Sequence, residues 1–265
     1  MRVGVISGSG SYDWPTLMNP VRRSITTRYG QVQVSEGRIG EVELVHLSRH
    51  GAGHARLSNH VAHKANLAAL REMGIDALIS LTVCGAVDPA CAPGSLIVFD
   101  DLYFPDNRLP DGSVCTWFDE PGAKERGHWI FERPFSDTVR TALLEAAEQA
   151  DVPVVSGGCY GHVDGPRFNT RSEIAALRNA GVTAVSQTAG PEVVLAGEDE
   201  LPMALLGFVT DCANGVAAEP EPVDALLERM ARSGKIFADV VAAALPRLAK
   251  ADKLAPAGIV YRFVS

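Results

Sequence analysis

The sequence predicts an α/β fold in one domain, with a mixed or parallel central sheet flanked by helices. Three observations carry this reading. Apolar runs of strand length alternate with longer stretches of helical spacing, the pattern of successive α/β units. The 265 residues are 46% hydrophobic and 21% charged, a composition that buries a large core and excludes a disordered, collagenous or coiled-coil chain. No linker, repeat or low-complexity tract interrupts residues 1–265, and α/β chains of this length fold around one core.

The elements follow in order. The opening MRVGVISGSG is a β-branched apolar run closing in small residues, a buried strand that delivers a flexible turn. Val42 to Leu47 is a second strand, ending in Ser48-Arg49-His50-Gly51. From about Asn59 to Met73 the spacing of Val61, Ala65, Leu67, Leu70 and Met73 is helical, and Gly74 caps it. Ala77 to Val83 is the next strand. Pro93-Gly94 precedes SLIVFDDLYF, while residues 105–134 hold several Pro and Gly with little periodicity, a long surface excursion of the kind that tends to be functional. A helix over Ser136 to Ala150, a strand over Val154 to Tyr160, a helix over Arg171 to Ala180 and strands over Thr183 to Gln187 and Met203 to Val209 complete the alternation. The last long helix covers Val223 to Leu245, where Pro246 is expected to end it. Residues 249–265 form an unassigned tail.

Composition also narrows the function. Runs such as Val240 to Leu245 fall far short of the roughly 20 residues a bilayer span requires, so no membrane helix is expected. The N-terminus lacks the charged region and long apolar stretch of a secretory signal, which points to the cytoplasm. Acidic residues exceed basic ones by 32 to 24 without a basic run, so nucleic acid is not an expected partner. Cys84, Cys91, Cys115, Cys159 and Cys212 are widely spaced with no C-x-x-C pair, and are read as buried, reduced thiols.

Chemistry concentrates at strand ends. Ser7 to Gly10 is a Ser/Gly turn that fits an anion site or a plain connection; it matches neither a Walker loop nor the dinucleotide fingerprint. Arg49-His50 offers a guanidinium fork and a titratable donor for a phosphate, or an ordinary ion pair. Thr82 and Thr188 add hydroxyls at two further strand ends, where open α/β sheets bind ligands. Asp211 closes LLGFVTD, as a turn cap or as a general acid with a raised pKa. Phe168, in GPRF, is core or a platform for a planar ligand. His54, His60 and His63 lack zinc spacing, and no G-x-S-x-G elbow is present.

Taken together, SGSG, SRHG, HVAHKANLAAL, LTVCGAV, GHVDGPRFNTRSE, SQTAGPEVVLA and VTD, in that order over about residues 3–235, resemble the 5′-methylthioadenosine phosphorylase branch of the purine nucleoside phosphorylase family. The resemblance implies a single nucleoside phosphorylase-like domain with a mixed central sheet, a homotrimer, phosphate as co-substrate and no metal or other cofactor. It assigns Ser9, Arg49, His50, Thr82 and Thr188, with the backbone of Val83, to phosphate. Phe168 then stacks near the purine and Asp211 meets N7 and a 6-amino group. Asn169 and Val223 fall where base and 5′-substituent preference are tuned, and Leu227 lies one helical turn after Val223. His128 resembles a histidine that a neighbouring subunit extends over the 5′ pocket.

Two positions depart from the family pattern. Gln187 stands where the family has a methionine against the ribose, and Ala213, followed by Asn214, replaces the second acid of TDYD. The implied activity is phosphorolysis of 5′-deoxy-5′-methylthioadenosine to adenine and 5-methylthioribose 1-phosphate. The alternatives are a phosphorylase of 6-oxopurine or other 5′-modified nucleosides, and a purine-nucleoside-binding protein that turns over weakly.

Overall fold

Helices alternate with strands because the sheet needs both faces covered. The computed structural model describes residues 1–219 and 221–263. The strands are β1 (Arg2–Ser7), β2 (Met18–Thr27), β3 (Gly30–Ile39), β4 (Val42–Ser48), β5 (Ala77–Ala86), β6 (Leu96–Val98), β7 (Asp101–Tyr103), β8 (Gly127–Ile130), β9 (Val154–Ser156), β10 (Cys159–His162), β11 (Val182–Ser186), β12 (Met203–Cys212) and β13 (Ile259–Arg262). The helices are α1 (His63–Glu72), α2 (Asp137–Gln149), α3 (Arg171–Asn179), α4 (Ala189–Glu198) and α5 (Val223–Lys250). Among the described residues eleven strands join in one mixed sheet, and β8 pairs with β13 in a separate antiparallel ribbon.

Alternation along β1 sorts the core into two layers, because successive side chains point to opposite faces. Val3 and Val5 pack with buried residues of α2 and α5, such as Leu143 and Val241. Ile6 packs on the other face with Leu67 of α1 and Val193 of α4. The sheet then opens at its centre. Strand β12 runs parallel to β5 along one edge, from Leu78 to Ala86. On the opposite edge β1 pairs only as far as Ser80, and β11 joins, antiparallel, from Gly85. Between those partners lies an unpaired stretch around Thr82, flanked by the ends of β1, β4 and β11.

Several expected elements change. The strand read over Val154 to Tyr160 divides at Gly157 and Gly158, whose φ angles of 93° and 121° suit only glycine, so that β9 pairs with β6 and β10 with β11. The helix expected from Asn59 begins at His63, after a 3₁₀ turn at Ser58–His60. Pro246 does not end α5, which continues to Lys250. A helical proline removes one hydrogen bond, and buried Leu245 and Leu248 on either side hold the last turns against the core. The tail supplies β13, with Val264 and Ser265 outside the described residues. The hairpin β2–β3 and helix α4 had not been expected. The cysteines are free, but Cys159 and Cys212 are only partly buried.

Candidate active site

The ends of β1, β4, β5, β11 and β12 surround a cleft of about 280 Å³, close to the lower range of small-molecule pockets. It is lined by Ser9, Arg49, His50, Thr82, Val83, Phe168, Asn169, Gln187, Thr188, Asp211 and Ala213, all singled out in the sequence. The floor is the turn after β1. Ser7, fully buried, donates its hydroxyl to the carbonyl of Ser11, and His46 Nε2 sits 2.7 Å from Ser7 Oγ. Gly10 has φ 82°, and a Cβ there would stand 2.7 Å from the Met230 carbonyl, so the backbone runs against α5 with no side chain between.

Arg49 enters this end differently from the expected two-pronged anion contact. Its Nε donates to Glu192 Oε1 at 2.5 Å, and its Nη2 donates to Glu192 Oε2 at 2.8 Å and to Ser80 Oγ at 3.0 Å. One Nη1 hydrogen goes to the Leu81 carbonyl at 3.1 Å. Four of the five guanidinium N–H groups are thus engaged inside the protein, leaving one, on Nη1. Burial opposes charge on both partners, yet each outweighs that penalty for the other: Glu192 is held below the usual carboxylate range and Arg49 above its ordinary value.

His50 is also not the cationic donor its type allows. Burial and the Arg49 charge lower its pKa to about 4, so the ring is neutral at pH 7. Nδ1 lies 2.8 Å from the Arg56 carbonyl and must donate to it, which leaves Nε2 as an acceptor. The ring stacks on His54 with centroids 4.1 Å apart. Thr82 Oγ1 and Ser186 Oγ meet at 2.8 Å across the gap in the sheet. Thr188 precedes α4 and makes no capping bond with its side chain. This end of the cleft is therefore built from hydroxyls, a neutral imidazole and one remaining Arg49 N–H.

At the other end the register of β12 against β5 shifts between Val209 and Asp211, turning Asp211 into the cleft wall. Its carboxyl has a raised pKa, chiefly from burial and further from the Glu221 charge, against a hydrogen bond from Thr210 and the charge of Arg229. Thr210 Oγ1 donates to Asp211 Oδ1 at 2.7 Å. Phe168 is 67% exposed, which excludes the core reading for its ring. Gln187 is held at both ends of its amide: its Oε1 accepts from Ser58 Oγ and its Nε2 donates to the Arg167 carbonyl, each at 2.9 Å. Asn214 Nδ2 donates to the Asn169 carbonyl at 2.7 Å.

A family model described as the Phosphorylase superfamily matches residues 2–246. The chain belongs to that superfamily. It is similar to a 6-oxopurine nucleoside phosphorylase of Pyrococcus furiosus, 31% identical over 253 residues covering 94% of each chain. It is also similar to an S-methyl-5′-thioadenosine phosphorylase of Caenorhabditis briggsae, 34% identical over 215 residues, 80% of this chain and 74% of that one. A solved structure of methylthioadenosine phosphorylase from Schistosoma mansoni in complex with adenine matches with a TM-score of 0.85 at 29% identity, covering 95% of this chain and 93% of that one. The chain is thus an enzyme of the methylthioadenosine phosphorylase branch of the purine nucleoside phosphorylase family, a pentosyltransferase.

For this phosphorylase three residues carried over by resemblance lie outside the cleft of their own chain. Val223 and Leu227 are 69% and 53% exposed, and Leu226 and Met230 line the cleft in their place. One position along a helix rotates the side chain by about 100°, which is why Leu226 and Met230, and not Val223 and Leu227, face the cleft in this chain. His128 sits on β8, paired with Tyr261, its ring 5.4 Å from that of Phe263. Residues not anticipated as part of the site are Ser58, Leu57, His54 and Ser186 on the cleft wall and Glu192 behind Arg49. A signal for Glu192 was present in GPEVVLA, because a carboxylate within an apolar run is rarely buried without a partner.

Proposed function

We propose that the enzyme cleaves 5′-deoxy-5′-methylthioadenosine with phosphate, releasing adenine and 5-methylthioribose 1-phosphate, as a cytoplasmic homotrimer in purine salvage. The observation that carries this reading is the placing of Asp211, a carboxyl of raised pKa, at one end of a cleft whose other end is a cluster of hydroxyls. A phosphate oxygen attacks C1′ as the C1′–N9 bond breaks, and its negative charge stabilises the oxocarbenium-like sugar between them. The bonding electrons pass to the purine, and N7 takes up the proton of Asp211, a transfer typically worth about 10²–10⁴-fold. The second carboxyl oxygen then accepts from a 6-amino group. A 6-oxo group finds the Thr210 hydroxyl committed to Asp211 and one Asn214 amide hydrogen committed to the Asn169 carbonyl. Leu57, Leu226 and Met230 give the cleft wall apolar surface suited to a thioether and offer a 5′-hydroxyl no partner.

Ala213 supports a second reading, preference for 6-oxopurine nucleosides. It is buried on the cleft wall, where the family motif carries another acid, so Asp211 is the one carboxylate among the described residues that line the cleft. The 6-oxopurine phosphorylase of Pyrococcus furiosus is among the relatives of greatest coverage. Phosphate-dependent base release from methylthioadenosine, methylthioinosine, adenosine and inosine distinguishes the two. The first reading expects methylthioadenosine to lead in kcat/KM; inosine or methylthioinosine leading replaces it with the second.

A further inference from the structure

We infer that Glu192 is a positioning residue for phosphate, acting through Arg49; the inference rests on the phosphorolytic reading of this cleft. Glu192 lies in the first turn of α4 and is fully buried. Its two oxygens take Nε and Nη2 of Arg49 side by side, the parallel fork that fixes a guanidinium in its own plane. Ser80, also fully buried, donates to Glu192 Oε2 at 2.6 Å and accepts from Arg49 Nη2, which closes the ring of contacts. The Leu81 carbonyl holds one hydrogen of Nη1. With those four contacts satisfied, the remaining Nη1 hydrogen has a single direction. Nη1 lies against the turn after β1, since a Cβ added to Gly8 would stand 2.8 Å from it.

Glu192 also sets the charge of the anion site. Its carboxylate neutralises Arg49, and neighbouring His50 and His63 are neutral at pH 7, each lowered to about 4 by burial. Phosphate therefore meets oriented neutral donors and one guanidinium N–H in place of a free cation. Orientation, more than net charge, must supply its affinity. Residues that orient Arg49 should then govern the phosphate requirement and leave the base pocket, at the far end of the cleft, unaffected.

The test compares wild type with Glu192→Gln, Glu192→Asp and Ser80→Ala, measuring KM for phosphate and for methylthioadenosine separately, with melting curves in increasing inorganic phosphate. In the two Glu192 variants phosphate KM is expected to rise about tenfold or more, the worth of one charge-assisted hydrogen bond, with nucleoside KM within about twofold. Ser80→Ala is expected to raise phosphate KM by a few-fold and to leave nucleoside KM unchanged. Phosphate should raise Tm of wild type and raise it less in every variant. Folded variants whose phosphate KM stays within twofold overturn the inference, as does an equal rise in both KM values, which would mark a merely structural residue. If the Glu192 variants fail to fold, Ser80→Ala decides by the same criteria. A wild-type enzyme that releases no base with phosphate overturns the functional reading instead. Melting then decides the inference alone: a phosphate-induced rise in wild type that is smaller in Ser80→Ala upholds it, and any other result overturns it.

Discussion

Ser58 donates its hydroxyl to Gln187 across the cleft, joining the 3₁₀ turn after β4 to the end of β11. The same Gln187 amide holds the Arg167 carbonyl, so one side chain ties both loops that frame the nucleoside end. Gly165 is part of this knot: a Cβ there would stand 2.0 Å from Gln187 Oε1 and 2.3 Å from Ser58 Oγ. The departure from methionine at this position thus exchanges an apolar ribose contact for a cross-link between loops.

Gln187→Met should accordingly cut the cross-link and leave Ser58 unpaired. Two hydrogen bonds of about 0.5–1.5 kcal/mol each, in a partly exposed setting, put the expected loss of stability near 1–2 kcal/mol. Nucleoside KM should rise several-fold while phosphate KM stays within about twofold. Steady-state kinetics beside urea unfolding checks both. Unchanged nucleoside KM and stability would mean that the amide holds nothing of consequence.

The folded protein should be acid-labile. Burial lowers the pKa of His46 and His63 to about 4 and of His162 to about 3, whereas an unfolded chain titrates histidine near 6.5. Above pH 6.5 both states are neutral at these positions and stability is complete. As pH falls from 6.5 toward 4, only the unfolded state gains protons, and each histidine removes up to about 1.4 kcal/mol per pH unit. Urea unfolding at pH 7 and pH 5 should differ by several kcal/mol. Neither ring nitrogen of His63 has a hydrogen-bond partner among the described residues, so His63→Leu should flatten the slope by about one histidine's share. A slope as steep as wild type in that variant counts against the buried neutral ring.

How far the sequence reveals this molecule depends on the range of the interactions involved. Ser9, Thr82, Thr188 and Asp211 were legible because each closes an apolar strand and stands beside small residues, a local pattern. Glu192 and Arg49 are 143 positions apart, and a contact of that span leaves no periodic trace in one sequence. Helix α4 was missed because AGPEVVLAGE is buried on nearly every side and so lacks an amphipathic period. Its Pro191 is tolerated in the first turn, where backbone N–H groups have no helical partner. The hairpin β2–β3 escaped for the opposite reason: MNPVRRSITT is exposed along almost its whole length, with no apolar alternation to read.

The ribbon β8–β13 should form a subunit contact. Its inner face packs Trp129 and Val260 on the core, while its outer face and flanks expose Ile130, Phe131, Ile259, Tyr261 and Phe263. A neighbouring copy seated there would carry His128 toward a cleft its own chain does not bring it to. Sedimentation should give a trimer, and Ile259→Glu should weaken assembly and nucleoside turnover together. A fully active wild-type monomer would contradict the shared site.

The role of Asp211 can be separated from its structural effects by one change. Asp211→Asn keeps the shape of the side chain and can still accept from Thr210, so the melting temperature should stay close to wild type. The amide has no acidic proton to give N7. If proton transfer from Asp211 drives departure of the purine, methylthioadenosine phosphorolysis should fall by about two orders of magnitude or more, in kcat and kcat/KM alike. The new N–H₂ can donate to a 6-oxo group, so methylthioinosine should lose less, and the ratio of the two rates should move toward the 6-oxopurine. The raised pKa supplies a second check. Activity limited by protonated Asp211 should decline as pH rises through the elevated carboxyl pKa, and that descending limb should vanish in Asp211→Asn. A well-folded variant with the wild-type methylthioadenosine rate and pH profile would remove Asp211 from the chemistry.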